Sequence, residues 1–531
     1  MPAHSIARRR LLAVLGTGAI AGAAAHISAV FRDAHSQGAL DTQRAADPSF
    51  IPEVELTMTA AAASVPLRAG AATRVWRYDV SVVRGPADCV TPIEGSYLGP
   101  TIRLRTGQRV RIRFTNNLPE PSILHMHGLH VPEAMDGHPR FAVGPGGTYV
   151  YDFQVVNRAG TYWYHPHHHS RTGPQVYNGL AGLLLVSDEE ESALKLPSEE
   201  AELCFVLQDR IFDARNQLVY GSTPMEMMTG FLGDTVIVNG RAARDVPLAT
   251  RAYRVRFLNG SNARIYKLGW GDGTPMTVIG SDGGLLEQPV RQTYVTLAPG
   301  ERADVLLDLS TRSVGSTLTL NSLSFSGVGS AMGAMGRGRG GGRGAGTGRA
   351  AAVANGDPFS IATLRIARRE RASFTLPSRL STYDGSWRAD GLSTPAPKRI
   401  TLSMQRMQWL LNGRTFEMTA AAPDETVALG SKEVWELDNR SGGMMQMAHP
   451  IHLHGRQFRV LKREIDPAMS TGWNSVRGGF SDAGWKDTVL VMPGERVQIL
   501  SHFTAYRGLF LYHCHNLEHE DLGMMRNYRV R

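Results

Sequence analysis

The sequence predicts an all-β protein made of three related sandwich domains, and three observations carry that prediction. Apolar side chains alternate with arginines in "TIRLRTGQRVRIRFTNNL", the period-two pattern of strands with one buried face. Two phrases, one strand-like and one opening on Pro-Gly, each recur along the chain. The recurrences lie much further apart than solenoid units do, so they mark duplicated domains.

In the first stretch, Ile102 and Leu104, then Val110, Ile112 and Phe114 share a face, and Thr106-Gly107 lies between them, which predicts a hairpin. Similar strand endings recur as "YRVRFLNGSN" from Tyr253 and "EVWELDNRSGG" from Glu433. The second phrase runs "PGGTYVYDFQV" from Pro145, "PGERADVLLDL" from Pro299 and "PGERVQILSHF" from Pro493. These copies place the domains at 46–192, 198–370 and 398–531, with a linker over 371–397. After the second phrase the first copy continues into "GTYWYHPHHH" and the third into "GLFLYHCHNLEHE", whereas the second continues into "GSTLTLNSLS". The middle domain thus keeps the scaffold without the histidines. Residues 327–352 depart from the pattern, being low in complexity and rich in Gly and Arg, with Met332 and Met335. Arg-Gly repeats can bind RNA, but an exported protein rarely meets it, so a flexible surface loop is expected, with a lid or metal-handling loop as the alternative.

At 531 residues the chain exceeds one compact core, and 42% hydrophobic with 20% charged residues excludes disorder as its main state. The net charge of +9 is spread through strand-like segments rather than gathered in a basic arm, so no nucleic-acid partner is predicted. Residues 1–45 read as an export signal and linker. Arg8, Arg9 and Arg10 precede the Gly/Ala-rich run "LLAVLGTGAIAGAAA", with small residues from Ala23 to Ala29, a pattern similar to the twin-arginine signal. A membrane anchor is the alternative, but the run is short and broken by glycine. No later segment approaches the roughly 18 apolar residues a spanning helix needs. A soluble periplasmic or secreted mature protein without stable membrane insertion is therefore expected. Of the three cysteines, Cys89 and Cys204 either pair or remain two free thiols.

Four segments place histidines two residues apart: His125 and His127, His165 and His167, His452 and His454, His513 and His515. On a strand such residues share a face, so each pair aims two imidazoles into one space, and imidazole suits copper, zinc or iron. His4, His26, His35, His130, His138 and His502 stand alone and read as ordinary core or surface residues; His168 and His169 are set aside as facing the wrong way or lying beyond the strand. Cys514, between His513 and His515, must face away from them and so serve a second metal. His449, His519 and, as a weak axial ligand, Met524 complete a blue-copper electron-transfer set with that thiol. Zinc is the alternative, but its sites seldom use an axial methionine.

These residues resemble the multicopper oxidases, in particular the three-domain bacterial laccase-like and cuprous-oxidase group. The resemblance runs from "LGPTIRLRTGQRV" through "HMHGLHVPEAMDG", "GTYWYHPHHH", "HPIHLHGRQFRVL" and "GWKDTV" to "HCHNLEHEDLGMM". It implies three cupredoxin-like Greek-key β-sandwich or barrel domains and four copper ions. The implied type 1 copper takes His449, Cys514 and His519 with Met524 axial, and the type 2 copper takes His125 and His452. The implied type 3 pair takes His127, His165, His167, His454, His513 and His515. Family position also marks Asp136 and Glu520 as acids supplying protons for reduction of dioxygen to water.

The implied activity couples one-electron oxidation of phenolic or aromatic donors, or of Cu(I), to dioxygen reduction in a monomeric enzyme. A copper-tolerance cuprous oxidase is the nearest alternative. Met444, Met445 and Met447 just before His449 favour it through soft thioether chemistry, yet methionine also fills core gaps. A copper-dependent nitrite reductase typically has two domains and builds its catalytic copper between subunits, whereas this chain holds all four histidine pairs. A non-catalytic cupredoxin scaffold protein is disfavoured by the intact ligand set.

Overall fold

The computed structural model describes residues 43–531, apart from 222, 243–244, 330–352, 373, 384–387, 395 and 441–445. The export signal, Met332, Met335, Met444 and Met445 lie outside the described residues.

Strands dominate, and their sheets come in three pairs. In the first pair, Thr73–Arg84, Val54–Val65, Arg109–Asn117 and Thr148–Gln154 form one sheet in that order. The facing sheet runs Val90–Thr91, Thr101–Arg105, Gly182–Ser187, Gly160–Pro166 and Leu124–His127. Side chains from both sheets meet in one apolar core, among them Leu56, Ile112, Leu104 and Leu184. The other two sheet pairs span residues 202–368 and 398–530 and enclose cores of the same kind.

The recurring phrases occupy equivalent positions. Arg109–Asn117, Ala252–Asn259 and Lys432–Asp438 each run parallel to their domain's first strand and antiparallel to the strand following the Pro-Gly turn. At the end of each lies an asparagine, Asn116, Asn259 or Asn439. Its carbonyl accepts the N–H of the Pro-Gly glycine: Gly146 at 2.6 Å, Gly300 at 2.9 Å and Gly494 at 3.0 Å. Its side-chain amide donates into the same turn region, to Val143, Leu297 and Val491 respectively. These glycines all have φ between +76° and +84°, a region costly for other residues.

The expected hairpin across Thr106-Gly107 does not form. Thr101–Arg105 pairs with Val90–Thr91 and Gly182–Ser187, while Arg109–Asn117 pairs in the opposite sheet. Alternation reports that one face is buried, not which strand lies alongside. The turn instead carries the chain between sheets, with Gly107 at φ +92° donating to the Val155 carbonyl at 2.7 Å. Cys89 and Cys204 are free thiols. No helix among the described residues is long and apolar enough to cross a membrane.

Candidate metal centres

Antiparallel register builds the site. His125 lies opposite His165 on neighbouring strands of the first domain, and His452 lies opposite His513 in the third. The strand ends of the two domains face one another, so eight buried imidazoles converge: His125, His127, His165, His167, His452, His454, His513 and His515. His168 and His169 lie past the end of Gly160–Pro166 and join no donor cluster among the described residues.

In six of the eight rings a hydrogen bond determines which nitrogen faces inward. His454 Nδ1 donates to Asp136 Oδ2 at 2.8 Å and His513 Nδ1 to the Cys514 carbonyl at 3.1 Å. Their Nε2 atoms, left as lone pairs, lie 3.1 Å apart, and His167 Nε2 is 3.2 Å from His513 Nε2. On the other side His127 Nε2 donates to Asp487 Oδ1 at 3.0 Å and His165 Nδ1 to the Pro166 carbonyl at 2.8 Å. That leaves His127 Nδ1 and His165 Nε2 facing each other at 3.4 Å. His125 Nδ1 donates to the Asp136 carbonyl at 2.5 Å and His452 Nδ1 to the Asp487 carbonyl at 2.8 Å. The Nε2 atoms of His125, His452 and His515 are buried without a partner among the described residues. Opposed lone pairs and orphaned nitrogens are unfavourable unless a cation lies between them. Burial, reinforced by the neighbouring imidazoles, holds His125, His127, His452, His454 and His515 well below the usual histidine range, the neutral form that ligates metal.

A second cluster lies behind the first. Within the strand Gly508–Cys514 the side chain of Cys514 points away from that of His513, and its Sγ lies 3.4 Å from His449 Nδ1 and 3.7 Å from His519 Nδ1. Those two nitrogens are 3.3 Å apart. The centre of such a triangle is about 2 Å from each corner, close to metal–nitrogen and metal–sulfur bond lengths of about 2.0–2.3 Å. His519 Nε2 donates to the Met228 carbonyl at 3.1 Å, which turns its Nδ1 inward. Met524 is fully buried in the same core, and its carbonyl accepts the Cys514 N–H at 3.0 Å. The residues present fit copper: two imidazoles and a thiol in one set, and in the other seven clustered imidazoles with the His515 ring beside them.

The short helix Leu517–Asp521 links the two sets, and four consecutive residues point four ways. Glu518 accepts from Tyr220, Phe231 and Asn262 of the middle domain. His519 turns to Cys514, and Glu520 places Oε2 3.2 Å from His513 Nδ1 and Oε1 3.6 Å from His167 Nε2. Asp521 accepts the backbone N–H groups of Thr172 and Gly173 at 2.9 and 2.8 Å.

Two models of the multicopper oxidase family match residues 75–191 and 391–531. A multicopper oxidase of Staphylococcus haemolyticus is 32% identical over 82% of this chain and 83% of its own length. The chain belongs to the multicopper oxidases. A laccase of Bacillus subtilis is 30% identical over 86% of this chain and 90% of that one. Among solved structures, the McoA multicopper oxidase of Aquifex aeolicus superposes with a TM-score of 0.75 at 35% identity, covering 91% of this chain and 97% of that one. The protein is accordingly an oxidoreductase that uses dioxygen, with cupredoxin domains and the family's four coppers.

Within this oxidase, sequence reasoning missed Asp487. It lies in "GWKDTV", yet nothing in its spacing signals a partner. Both of its oxygens take Arg302 guanidinium nitrogens at 2.6 Å, and both side chains are sealed from solvent. Arg302 belongs to the middle domain, as does Gly300, so the domain without ligands abuts the histidine cluster. A Cβ on Gly300 would lie 2.9 Å from His515 Cδ2 and 3.2 Å from His127 Cε1. Gly300→Ala is therefore expected to lower the copper content of the purified oxidase, measured by atomic absorption. Gly146→Ala, at a similar positive φ but with nothing within 4 Å, should cost only about 1–2 kcal/mol of stability. Equal copper losses in both would exclude the close approach as the cause.

Proposed function

We propose a laccase-like oxidase in which His449, Cys514, His519 and Met524 would hold the electron-accepting type 1 copper. His125 and His452 hold type 2. His127, His165 and His515 on one side and His167, His454 and His513 on the other hold the type 3 pair. The single observation supporting this division most is the two-faced strand end. Cys514 Sγ lies against His449 and His519, while its covalent neighbour His513 lies against His167 and His454. When bound, the coppers supply one-electron acceptance from a donor and four-electron reduction of dioxygen. The chain's own residues hold the donor atoms, exclude water from both sets and provide a covalent route from Cys514 to the adjoining imidazoles. Loading with copper is expected to give an intense blue band and oxygen uptake with a phenolic donor. A fully loaded but colourless protein that consumes no oxygen overturns the proposal.

Two carboxyls beside the cluster differ in environment, as an acid and a base should. Burial, with Glu133 nearby, pushes Asp136 well above the usual carboxylate range, and its Oδ1 is buried without a partner, so it can carry a proton. Burial also raises Glu520, but His513 and His167 outweigh it and hold it low and ionised. Asp136 donates protons and Glu520 receives them for relay. Asp136→Asn is expected to slow dioxygen reduction about 10²-fold while leaving type 1 reduction by donor unchanged, as read by stopped-flow bleaching and reoxidation. Equal slowing of both steps removes the proton role.

A cuprous-oxidase role is the second reading, favoured by the helix Pro224–Thr229, "PMEMMT", which packs beside the type 1 residues. Met227 and Met228 join Met447 in the core there, and Met225 is exposed. Met447 thus fills space as well as offering a thioether. Steady-state rates with Cu(I), a phenol and bilirubin, measured side by side, separate the readings. Arg8 to Arg10 and the run after them support twin-arginine export to the periplasm or beyond, and both metal sets complete within one chain support action as a monomer.

A further inference from the structure

Buried arginines in this protein have partners. Arg111, Arg254, Arg256, Arg264, Arg302 and Arg526 each pair with a carboxylate. Arg210 is sealed between the rings of Tyr97 and Tyr177 and donates to two carbonyls. Arg456 has neither arrangement. It is only 7% exposed, and no carboxylate lies within ion-pair distance among the described residues. Its hydrogen bonds there leave from Nη1 alone, to Thr504 Oγ1 at 3.0 Å and toward His130 Nδ1 at 3.4 Å. A guanidinium keeps its charge at neutral pH. An uncompensated buried charge is costly unless something supplies the counter-charge.

Arg456 opens onto a cavity of about 250 Å³ where three parts of the chain meet. The first domain contributes Asn157 and Arg158, the third contributes Arg456, Gln457 and Trp485, and the segment between the second and third domains contributes Tyr383. The surroundings are cationic. The guanidinium of Arg158 stacks over Tyr383 at 5.0 Å, and that of Arg459 lies 5.6 Å from Tyr383 and 5.8 Å from Trp485. Two acids border this shell: Glu190, engaged by Arg158 at 3.3 Å and by the Thr382 N–H at 2.8 Å, and Glu287, which accepts the Tyr383 N–H at 3.4 Å; neither pairs with Arg456. The rim carries Val156, an exposed apolar side chain.

We propose that this cavity binds a small organic carboxylate, its two oxygens on the free edge of the Arg456 guanidinium and its apolar body against Tyr383 and Val156. A guanidinium edge matches the paired oxygens of a carboxylate, and the apolar rim selects an organic anion over an inorganic one. The volume lies below the roughly 300–1,000 Å³ of sites for larger ligands, which limits the occupant to about one ring. None of the residues lining the cavity is among those assigned to copper, and the proposal does not depend on which donor the oxidase uses.

Titration calorimetry on the copper-loaded protein tests this with benzoate, inorganic phosphate and benzyl alcohol as probes. Benzoate is expected to saturate one site with the type 2 electron paramagnetic resonance signal unchanged. Phosphate, which lacks the body, and benzyl alcohol, which lacks the charge, should each bind at least about tenfold more weakly. Arg456→Gln should weaken benzoate at least about tenfold with copper content unchanged. Should that variant fail to fold, the exposed substitution Val156→Glu places a like charge at the rim and should weaken benzoate similarly. The proposal is overturned by the absence of saturable benzoate binding, by unaltered binding in the variants, by phosphate binding as tightly as benzoate, or by a shifted type 2 signal, which would put the anion on copper.

Discussion

Cys514→Ser is expected to abolish the blue band and donor oxidation while most of the trinuclear copper remains bound. Serine offers no thiolate, and copper of the electron-transfer kind depends on that ligand. The substitution removes one atom of the type 1 triangle formed with His449 and His519. It leaves the inner hydrogen bonds of the other cluster untouched. His513 still donates to the residue 514 carbonyl, a backbone group, and His454 still donates to Asp136. Copper analysis with optical and paramagnetic resonance spectra reads the two sites separately. Loss of all copper would mean that the thiol and the flanking imidazoles do not face separate metals.

Asp487→Ala is expected to have the largest effect outside the ligands themselves. It leaves His127 Nε2 with only Thr488 Oγ1 at 3.2 Å and takes the two-pronged partner from the buried Arg302 guanidinium, whose remaining carboxylate, Asp282, is 3.6 Å away. Breaking a buried pair from one side costs about 3–5 kcal/mol, so the copper-free protein should melt at a lower temperature. Freeing the ligand's outer nitrogen typically lowers metal affinity about 10–100-fold, so the trinuclear centre should also lose copper more readily to a chelator. Thermal unfolding of the apoprotein and chelator competition on the loaded protein measure the two effects independently. Arg302→Leu should reproduce the first and, by leaving Asp487 in place for His127, show less of the second. If both variants keep wild-type melting, the inter-domain pair contributes nothing to stability.

The histidine pairs and Cys514 were legible because strand geometry ties spacing two to a shared face, a local rule that needs no knowledge of the fold. The duplicated architecture was legible for a similar reason. Asn116, Asn259 and Asn439 and their Pro-Gly partners repeat one local device. What stayed hidden depends on contacts between distant segments. Asp487 meets His127 across 360 residues and the Met228 carbonyl meets His519 across 291, and no local pattern encodes either. The hairpin reading at Thr106-Gly107 failed on the same ground, since alternation specifies a buried face and leaves the neighbouring strand open. Arg456 is likewise ordinary in sequence and becomes unusual only because it is buried with no carboxylate within ion-pair distance among the described residues.

The helix Leu517–Asp521 makes chain length as constrained as chemistry in this part of the molecule. Each residue of an α-helix is turned about 100° from the one before it. Deleting or inserting a single residue after Asn516 would therefore swing Glu518, His519, Glu520 and Asp521 together onto the wrong neighbours. A point substitution on this helix disturbs the contacts of one residue, whereas a one-residue frame change disturbs those of all four. The segment should therefore tolerate variation in letters far better than variation in count, and a deletion scan from 516 to 523 would map where that register begins and ends.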